Sequence, residues 1–158
     1  MQLDNLDRRI LDALQRNAKL SNAQLAEEVG LSPSPCLRRV RLLEEAGVIR
    51  GYHAELDRSK SGLGLTVFVG VKVERHHDAS ANAFRAAVID LPEVISCHVV
   101  SGVSDFLLQV VLPDLASYEE FLFSALLKLP AVSDIRSNFA ISTVKSQTAL
   151  PLDHLPQG

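Results

Sequence analysis

Ser34, Arg38 and Arg41 carry hydrogen-bonding groups at intervals of four and three residues, the spacing of one face of an α-helix. An arginine presents a planar fork of donors that matches guanine O6 and N7 or the oxygens of a phosphate. A serine near the start of such a helix can contact a phosphate or a base edge. These residues, with Ser32 and Arg39 beside them, indicate contact with double-stranded DNA, although a solvated arginine face has the same pattern.

The residues around this face predict three short helices. The first is expected to end near Asn17, and its apolar residues recur at intervals of three and four, at Leu3, Leu6, Ile10 and Leu14. The second begins at the capping box Ser21-Asn22-Ala23-Gln24 and ends at Gly30, which suits the left-handed position after a helix. The third follows directly, with Ser32 as its N-cap and Pro33 in its first turn.

The third helix is predicted to run to about Ala46, and its buried stripe, opposite the arginine face, is formed by Cys36, Val40 and Leu43. Two short helices joined by a three-residue turn that contains glycine, braced by a preceding helix, form a helix-turn-helix. Residues 1–50 are therefore predicted to be a DNA-binding domain. The weakly alternating residues 48–56 are interpreted as a short strand or a wing, and residues 51–64 as a hinge strand and linker.

After Gly64 the apolar period changes from 3.6 to 2, and the fold class becomes α+β. Strands are predicted at 65–74, 94–101, 106–112 and 132–145, and helices at 83–91 and 115–129. The order β-α-β-β-α-β indicates a ferredoxin-like domain over residues 65–145, followed by a tail, 146–158. Phe68 and several aliphatic residues point to the sheet face without helices, so we expect a partner subunit to cover that face.

The loop from Ser101 to Asp105 joins two strands that are expected to be neighbours. Gly102 permits a tight turn whose backbone N–H groups can hold a carboxylate, and Asp105 can accept from an ammonium. A zwitterionic amino acid needs both features close together. From the residues alone, an ordinary hairpin turn is the favoured interpretation, because glycine and aspartate are common in turns.

Charge and composition exclude several classes of protein. Hydrophobic residues make up 47% of the chain, which excludes wholesale disorder, and no long uncharged apolar run predicts a membrane span. The first residues lack the apolar core of a signal peptide, so a cytoplasmic protein is expected.

The charges are unevenly distributed along the chain. Residues 1–50 hold eight Arg/Lys and seven Asp/Glu, a net of +1, whereas the remainder holds eight and twelve, a net of −4. The total of −3 neither supports nor opposes DNA binding, which needs only a local basic surface.

Two other classes of function are weighed against a regulator. A metal or redox sensor would use the two cysteines, Cys36 and Cys97, or histidines such as His76, His77 and His98, but no metal-binding spacing is present, and both thiols are expected to be buried and free. A small enzyme, or an amino-acid-binding module of one, would suit the second domain's topology, but no catalytic constellation or phosphate loop is recognisable. We therefore expect no catalytic residues, no metal and no cofactor.

The segment LSPSPCLRRVRLLEEAGVIRGY resembles the recognition segment of the Lrp/AsnC (feast/famine) family of transcription regulators. The stretches LDNLDRRILDALQRNAKLSNAQLAEEVGLS, CHVVSGVSDFLLQV and FAISTVKSQTALPL follow the pattern of that family too, so the resemblance covers nearly the whole chain. It implies a winged helix-turn-helix, a hinge strand and a ligand-sensing βαββαβ domain. It also implies homodimers through the sheets, often assembled into octamers, and regulation by an amino acid.

By the same resemblance, the effector would bind at the loop Gly102, Val103, Ser104 and Asp105, and the rest of the pocket would come from the last strand of a neighbouring subunit, through Ser137, Asn138, Phe139 and Ala140. Few charges lie among these residues, which favours an apolar or small polar amino acid. Phe106 stands where family members with this loop usually have tyrosine, which leaves the identity of the effector open.

Overall fold

The computed structural model describes residues 2–74, 78–146 and 149–155. The chain divides into two compact units, Met1–Glu55 together with Lys145–Gly158, and Leu56–Val144. The C-terminal tail, expected from the sequence to be a separate segment, thus belongs to the first unit. Among the described residues, no helix has the length and apolar character needed to cross a membrane.

The first unit contains the three predicted helices, α1 (Asn5–Arg16), α2 (Asn22–Val29) and α3 (Pro33–Glu45). Ser21 and Gln24 form the predicted capping box at the start of α2, and Gly30 follows α2 with a φ of 70°. Ser32 occupies the N-cap position of α3, but its side chain makes no capping hydrogen bond. The predicted N-cap position is therefore confirmed, and Pro33 lies in the first turn as expected.

The three helices pack around one apolar cluster. Cys36 and Leu43 of the predicted stripe are fully buried. Val40 is partly buried and packs against the same cluster. The other fully or largely buried members are Ile10, Leu11, Ala13, Leu25, Ala26 and Val29. Burial raises the pKa of the Cys36 thiol, which keeps it protonated and unreactive. The second cysteine, Cys97, is exposed, so the prediction of two buried thiols holds for Cys36 only.

The segment after α3 forms no strand within the chain, contrary to one of the two interpretations of residues 48–56 and to the hinge strand expected in 51–64. The N–H groups of Val48 and Ile49 donate to the carbonyl of Leu43, and residues 58–62 form turns. A strand needs a neighbouring strand to pair with, and none of the described residues supplies one here. Tyr52 is anchored to the end of α3, because its hydroxyl donates to Glu44 Oε1 at 2.9 Å.

The second unit has the predicted β-α-β-β-α-β order. Its elements are β1 (Leu65–Val73), α4 (Asp78–Ile89), β2 (Val94–Val99), β3 (Phe106–Leu112), α5 (Leu115–Ser124), a 3-10 turn (Leu126–Lys128) and β4 (Val132–Phe139). The strands form one antiparallel sheet in the order β2-β3-β1-β4. This confirms the ferredoxin-like arrangement, in which the two βα halves interleave their strands.

The core of this unit lies between the sheet and its helices. Val67, Val69 and Val71 of β1 are fully buried there, whereas Phe68, on the opposite face, is 39% exposed. The alternation of a strand therefore leaves an open sheet face, as predicted. The second helix is shorter than its apolar pattern suggested: α5 ends at Ser124, and Ala125 leaves the helical region with a φ of −121°. A 3-10 turn then buries Leu126 in the core.

Candidate nucleic-acid interface and effector loop

One side of α3 is exposed and basic. Ser34, Arg38 and Arg41 are all exposed, whereas Cys36 and Leu43 on the opposite side have no accessible surface. Within the described part of the chain, no hydrogen bond or ion pair engages the guanidinium of Arg38 or Arg41. Ser32 is also exposed, directly before the helix. The helix and the residue before it therefore present two hydroxyls, and two guanidinium groups without a partner among the described residues.

Arg39 does not belong to this exposed face. Its Nη1 atom lies 2.8 Å from Asp4 Oδ2 and 2.7 Å from Asp7 Oδ1, so its guanidinium is directed back onto α1. Its side chain is 26% exposed and that of Asp7 only 4%. The hydrogen bond to Asp7 is the main reason that the pKa of Arg39 is raised. Arg39 is thus placed to hold α3 against α1, unlike the DNA contact expected from the sequence.

The two acids also build the start of α1. Asp4 is the N-cap and accepts from the N–H of Asp7, while the Asp7 carboxylate accepts from the N–H of Asp4. The hydrogen bond from the Asp7 backbone, followed by the contact with Arg39, holds the pKa of Asp4 below its ordinary value. Taken alone, the helical pattern of α1 places both acids on the polar surface of the helix. For Asp7 this is wrong, because Arg39 covers it.

The loop before β3 is hydrogen-bonded onto β1. The Asp105 N–H donates to the Val71 carbonyl at 3.0 Å, and the Asp105 carboxylate accepts from the Val73 N–H at 3.1 Å. Gly102 has a φ of 120°, which favours glycine. Ser104 lies so close to Gly70 that a Cβ there would be 2.4 Å from its hydroxyl oxygen. Asp105 thus has a structural contact that the sequence analysis did not foresee.

The residues predicted on β4 divide between the two faces of the sheet. Ser137 and Phe139 pair with Val69 and Val67 and point, like them, towards the helices. Asn138 pairs with Phe68 on the open face, where its amide donates to the Phe68 carbonyl at 3.3 Å. A single face of β4 can therefore contribute either Ser137 and Phe139, or Asn138, to a binding site, but not all three residues. Ala140 continues the pairing, with its N–H donating to Thr66.

Tyr118 is a residue of this region that the sequence analysis assigned only to a helix. Its hydroxyl makes a short hydrogen bond with Ser137, and its ring meets Phe139 edge-on at a centroid distance of 5.3 Å. The side chain is 3% exposed, and burial raises the pKa of its hydroxyl. The usable signal was its position in the apolar stripe of α5, because a buried tyrosine hydroxyl requires a partner.

Asp105 and the predicted β4 residues lie at different positions along β1, whereas Ser104 and Arg136 both lie beside Gly70. Asp105 lies beside Val71 and Val73, whereas Ser137, Asn138 and Phe139 pair with residues 67–69 of β1. Along β1, the positions beside Asp105 and those paired with Ser137, Asn138 and Phe139 differ by two to six residues, which is about 7–20 Å at a rise of about 3.3 Å per residue. Among the described residues, no group of three or more His, Cys, Asp or Glu is arranged to hold a metal ion. The predicted histidine pair, His76 and His77, lies outside the described residues, and His98 is exposed.

Two family models match the chain. Residues 66–150 match the Lrp/AsnC ligand binding domain, and residues 3–50 match a winged helix-turn-helix DNA-binding domain. The Leucine-responsive regulatory protein of Salmonella typhimurium is 43% identical over 94% of this chain and 90% of its own length. The Bkd operon transcriptional regulator of Pseudomonas aeruginosa is 42% identical over 96% of this chain and 99% of its own length.

Solved structures agree with these matches. A transcriptional regulator of Neisseria meningitidis, crystallised as a complex with L-Met, superposes with a TM-score of 0.92 and is 41% identical, covering 97% of this chain and 99% of that one. An AsnC family transcriptional regulator of Agrobacterium tumefaciens gives the same score and identity, covering 98% of this chain and all of that one. This chain belongs to the Lrp/AsnC family of transcriptional regulators, with an N-terminal winged helix-turn-helix DNA-binding domain and a C-terminal ligand-binding domain.

Proposed function

We propose that this regulator reads duplex DNA through Ser34, Arg38 and Arg41, with Ser32 at a phosphate, and that an amino acid changes its DNA binding or its assembly. The observation that carries the DNA assignment is the exposed face of α3, where both guanidinium groups have no partner among the described residues. Arg39 is left out of the contact set, because Asp4 and Asp7 hold it. The protein acts by binding and not by catalysis, as its relatives are named regulators.

The effector site proposed here is the loop Gly102–Asp105, completed by β4 of a second subunit. The displacement of Asp105 from Ser137, Asn138 and Phe139 along β1 supports a site shared between subunits. Gly102 exposes backbone donors for a carboxylate, and the carboxylate of Asp105 supplies negative charge for an ammonium. The complex of the Neisseria regulator with L-Met supports an amino acid of apolar character.

A thermal-shift screen of the twenty amino acids tests the effector assignment. An amino acid that binds the folded protein stabilises it by mass action, by about 2.7 kcal/mol at a hundred times its dissociation constant. We expect an apolar or small polar amino acid, such as L-methionine or L-leucine, to raise the melting temperature. A screen in which no amino acid has this effect would mean that the protein works without an amino acid effector.

Asp105→Asn separates the charge of this residue from its structural contact. The amide oxygen can still accept from the Val73 N–H, but the negative charge is lost. A hydrogen bond to a charged group contributes about 1.5–3 kcal/mol, so calorimetry should show L-methionine binding at least about tenfold more weakly. Asp90→Asn, at an exposed position of the same unit, is the matched control and should bind as the wild type does. Equal affinity in both variants would place the site elsewhere.

We propose a homodimer, assembling to an octamer, formed through the open sheet faces. The exposed side chain of Phe68 and the unpaired face around it support this arrangement. A dimer would place two recognition helices about 34 Å apart, one turn of DNA, or a multiple of that distance. Light scattering at micromolar concentration should give the mass of two chains or a higher even multiple. A monomer under these conditions would contradict the proposal.

A further inference from the structure

The C-terminal residues 149–155, called here the C-terminal strap, lie on α1 of the DNA-binding unit. The side-chain amide of Gln15 makes two hydrogen bonds with the backbone of Leu150. Its Oε1 accepts from the Leu150 N–H at 2.6 Å, and its Nε2 donates to the Leu150 carbonyl at 3.2 Å. Asp153 Oδ1 lies 2.8 Å from Arg8 Nη2. Leu152, between them, packs against the apolar cluster of the three helices.

The contacting parts of α1 and of the C-terminal strap have the same length. Arg8 and Gln15 are separated by two turns of α1, about 10 Å at 1.5 Å per residue. Leu150 and Asp153 are three residues apart, which spans at most about 10 Å of chain. Pro151 favours an extended form, because a proline restricts itself and the residue before it to extended backbone. The strap is therefore built to lie antiparallel along one side of α1, with an apolar anchor between two polar ones.

The chain connects its two units twice. It leaves the DNA-binding unit at Glu55 and returns to it at Lys145, so the linker after α3 is not the only connection. The second connection begins at the end of β4, and among its described residues Leu150, eleven residues after Phe139, is hydrogen-bonded to α1. A unit held at two points has less freedom to reorient than one on a single flexible linker.

We propose that the C-terminal strap is the coupling element through which the effector domain acts on the DNA-binding domain. This inference rests on the proposed effector site, since Ser137, Asn138 and Phe139 lie on the strand that leads into the strap. A change in the position of β4 reaches α1 through Leu150, Leu152 and Asp153, without passing through the linker after α3. An effector changes the equilibrium only through its different affinity for the two arrangements.

The test measures how much the amino acid changes the affinity for DNA, and not the stability of the protein. An operator fragment is first selected by the wild-type protein from a random duplex library, and its dissociation constant is measured with and without saturating L-methionine, or the amino acid that raises the melting temperature most. Allosteric coupling typically changes such a constant by about 5- to 150-fold. In Leu152→Ala and Gln15→Ala the ratio should fall to within about twofold of one. Gln15 is exposed, so its truncation leaves no cavity in the core.

Three comparisons make the outcome decisive. The amino acid should bind both variants by calorimetry as it binds the wild type, and the operator should bind them equally well without it. His154→Ala, at an exposed position of the same strap, should keep the wild-type ratio. A full response in both variants, with faster hydrogen exchange showing that the strap is released, would overturn the inference alone. If no amino acid binds the wild type, the proposed effector function fails first and the coupling role falls with it.

Discussion

Replacing Arg38 or Arg41 by alanine is expected to weaken operator binding by about 1–3 kcal/mol for each residue that reads a base. Both side chains are exposed on α3, and neither guanidinium has a partner in the described part of the chain. An arginine fork removed from a base leaves that base edge without its donors, so discrimination at that position should also relax. Fluorescence anisotropy with the selected operator and with single-base variants of it measures both effects.

The salt dependence separates a base contact from a phosphate contact. If an arginine holds a phosphate, its loss weakens all sequences alike, and the slope of log K against log salt falls by about one. Lys128→Ala removes one exposed positive charge from the other unit and is the control for net charge. Unchanged operator affinity in both arginine variants would exclude α3 as the recognition helix.

Asp7→Ala is expected to lower the free energy of unfolding of the DNA-binding unit by about 2–4 kcal/mol. The change removes one half of the capping box, worth about 0.5–2 kcal/mol, and one carboxylate from Arg39. Breaking a fully buried ion pair costs about 3–5 kcal/mol, and the value is smaller here because the Arg39 side chain is about a quarter exposed. Chemical denaturation followed by circular dichroism, with hydrogen exchange of α1, provides the measurement.

A double-mutant cycle shows whether the ion pair between Asp7 and Arg39 accounts for the loss of stability. Asp7→Ala and Arg39→Ala should be less than additive when combined, because each removes the same contact. Asp12→Ala is the matched control on α1. Among the described residues Asp12 has one ion pair, a 3.7 Å contact with Arg8, and its loss should change stability by less than about 1 kcal/mol. Additive effects in the cycle would show that Arg39 does not hold α3 through Asp7.

The contact between Asp4 and Arg39 also makes the free energy of unfolding depend on pH. The pKa of Asp4 is lowered from 3.8 by the Asp7 N–H and by Arg39. A carboxyl group whose pKa is lower in the folded state stabilises that state fully above its unfolded pKa, and the stabilisation is lost as the pH falls through the folded value. The contribution of Asp4 is therefore constant at neutral pH and disappears only in acid below about 3.8.

Short-range patterns in the sequence predicted the order of the helices and strands in both domains. The apolar period, the capping box at Ser21 and the glycines after α2 and α3 act over a few residues, so the bounds of α1, α2 and α3 were predictable to within one or two positions. The bounds of α4 and α5 each differed from the prediction by five residues at one end. The same is true of the βαββαβ order, because alternation in a strand depends on which neighbouring side chains are apolar. The exposed arginine pattern of α3 was also local, and the structure leaves Arg38 and Arg41 exposed.

The pairing of polar groups from distant parts of the chain depended on how the elements pack. Arg39 and Arg41 are equivalent in sequence terms, but Arg39 lies 32 residues from Asp7 and becomes its partner. The docking of the strap on α1 joins residues 135 and 145 positions apart, and no local pattern specifies such a pairing. Periodicity states which side of an element is buried. Which charge meets which depends on how the elements pack, because a side-chain contact forms only after folding has brought distant segments together.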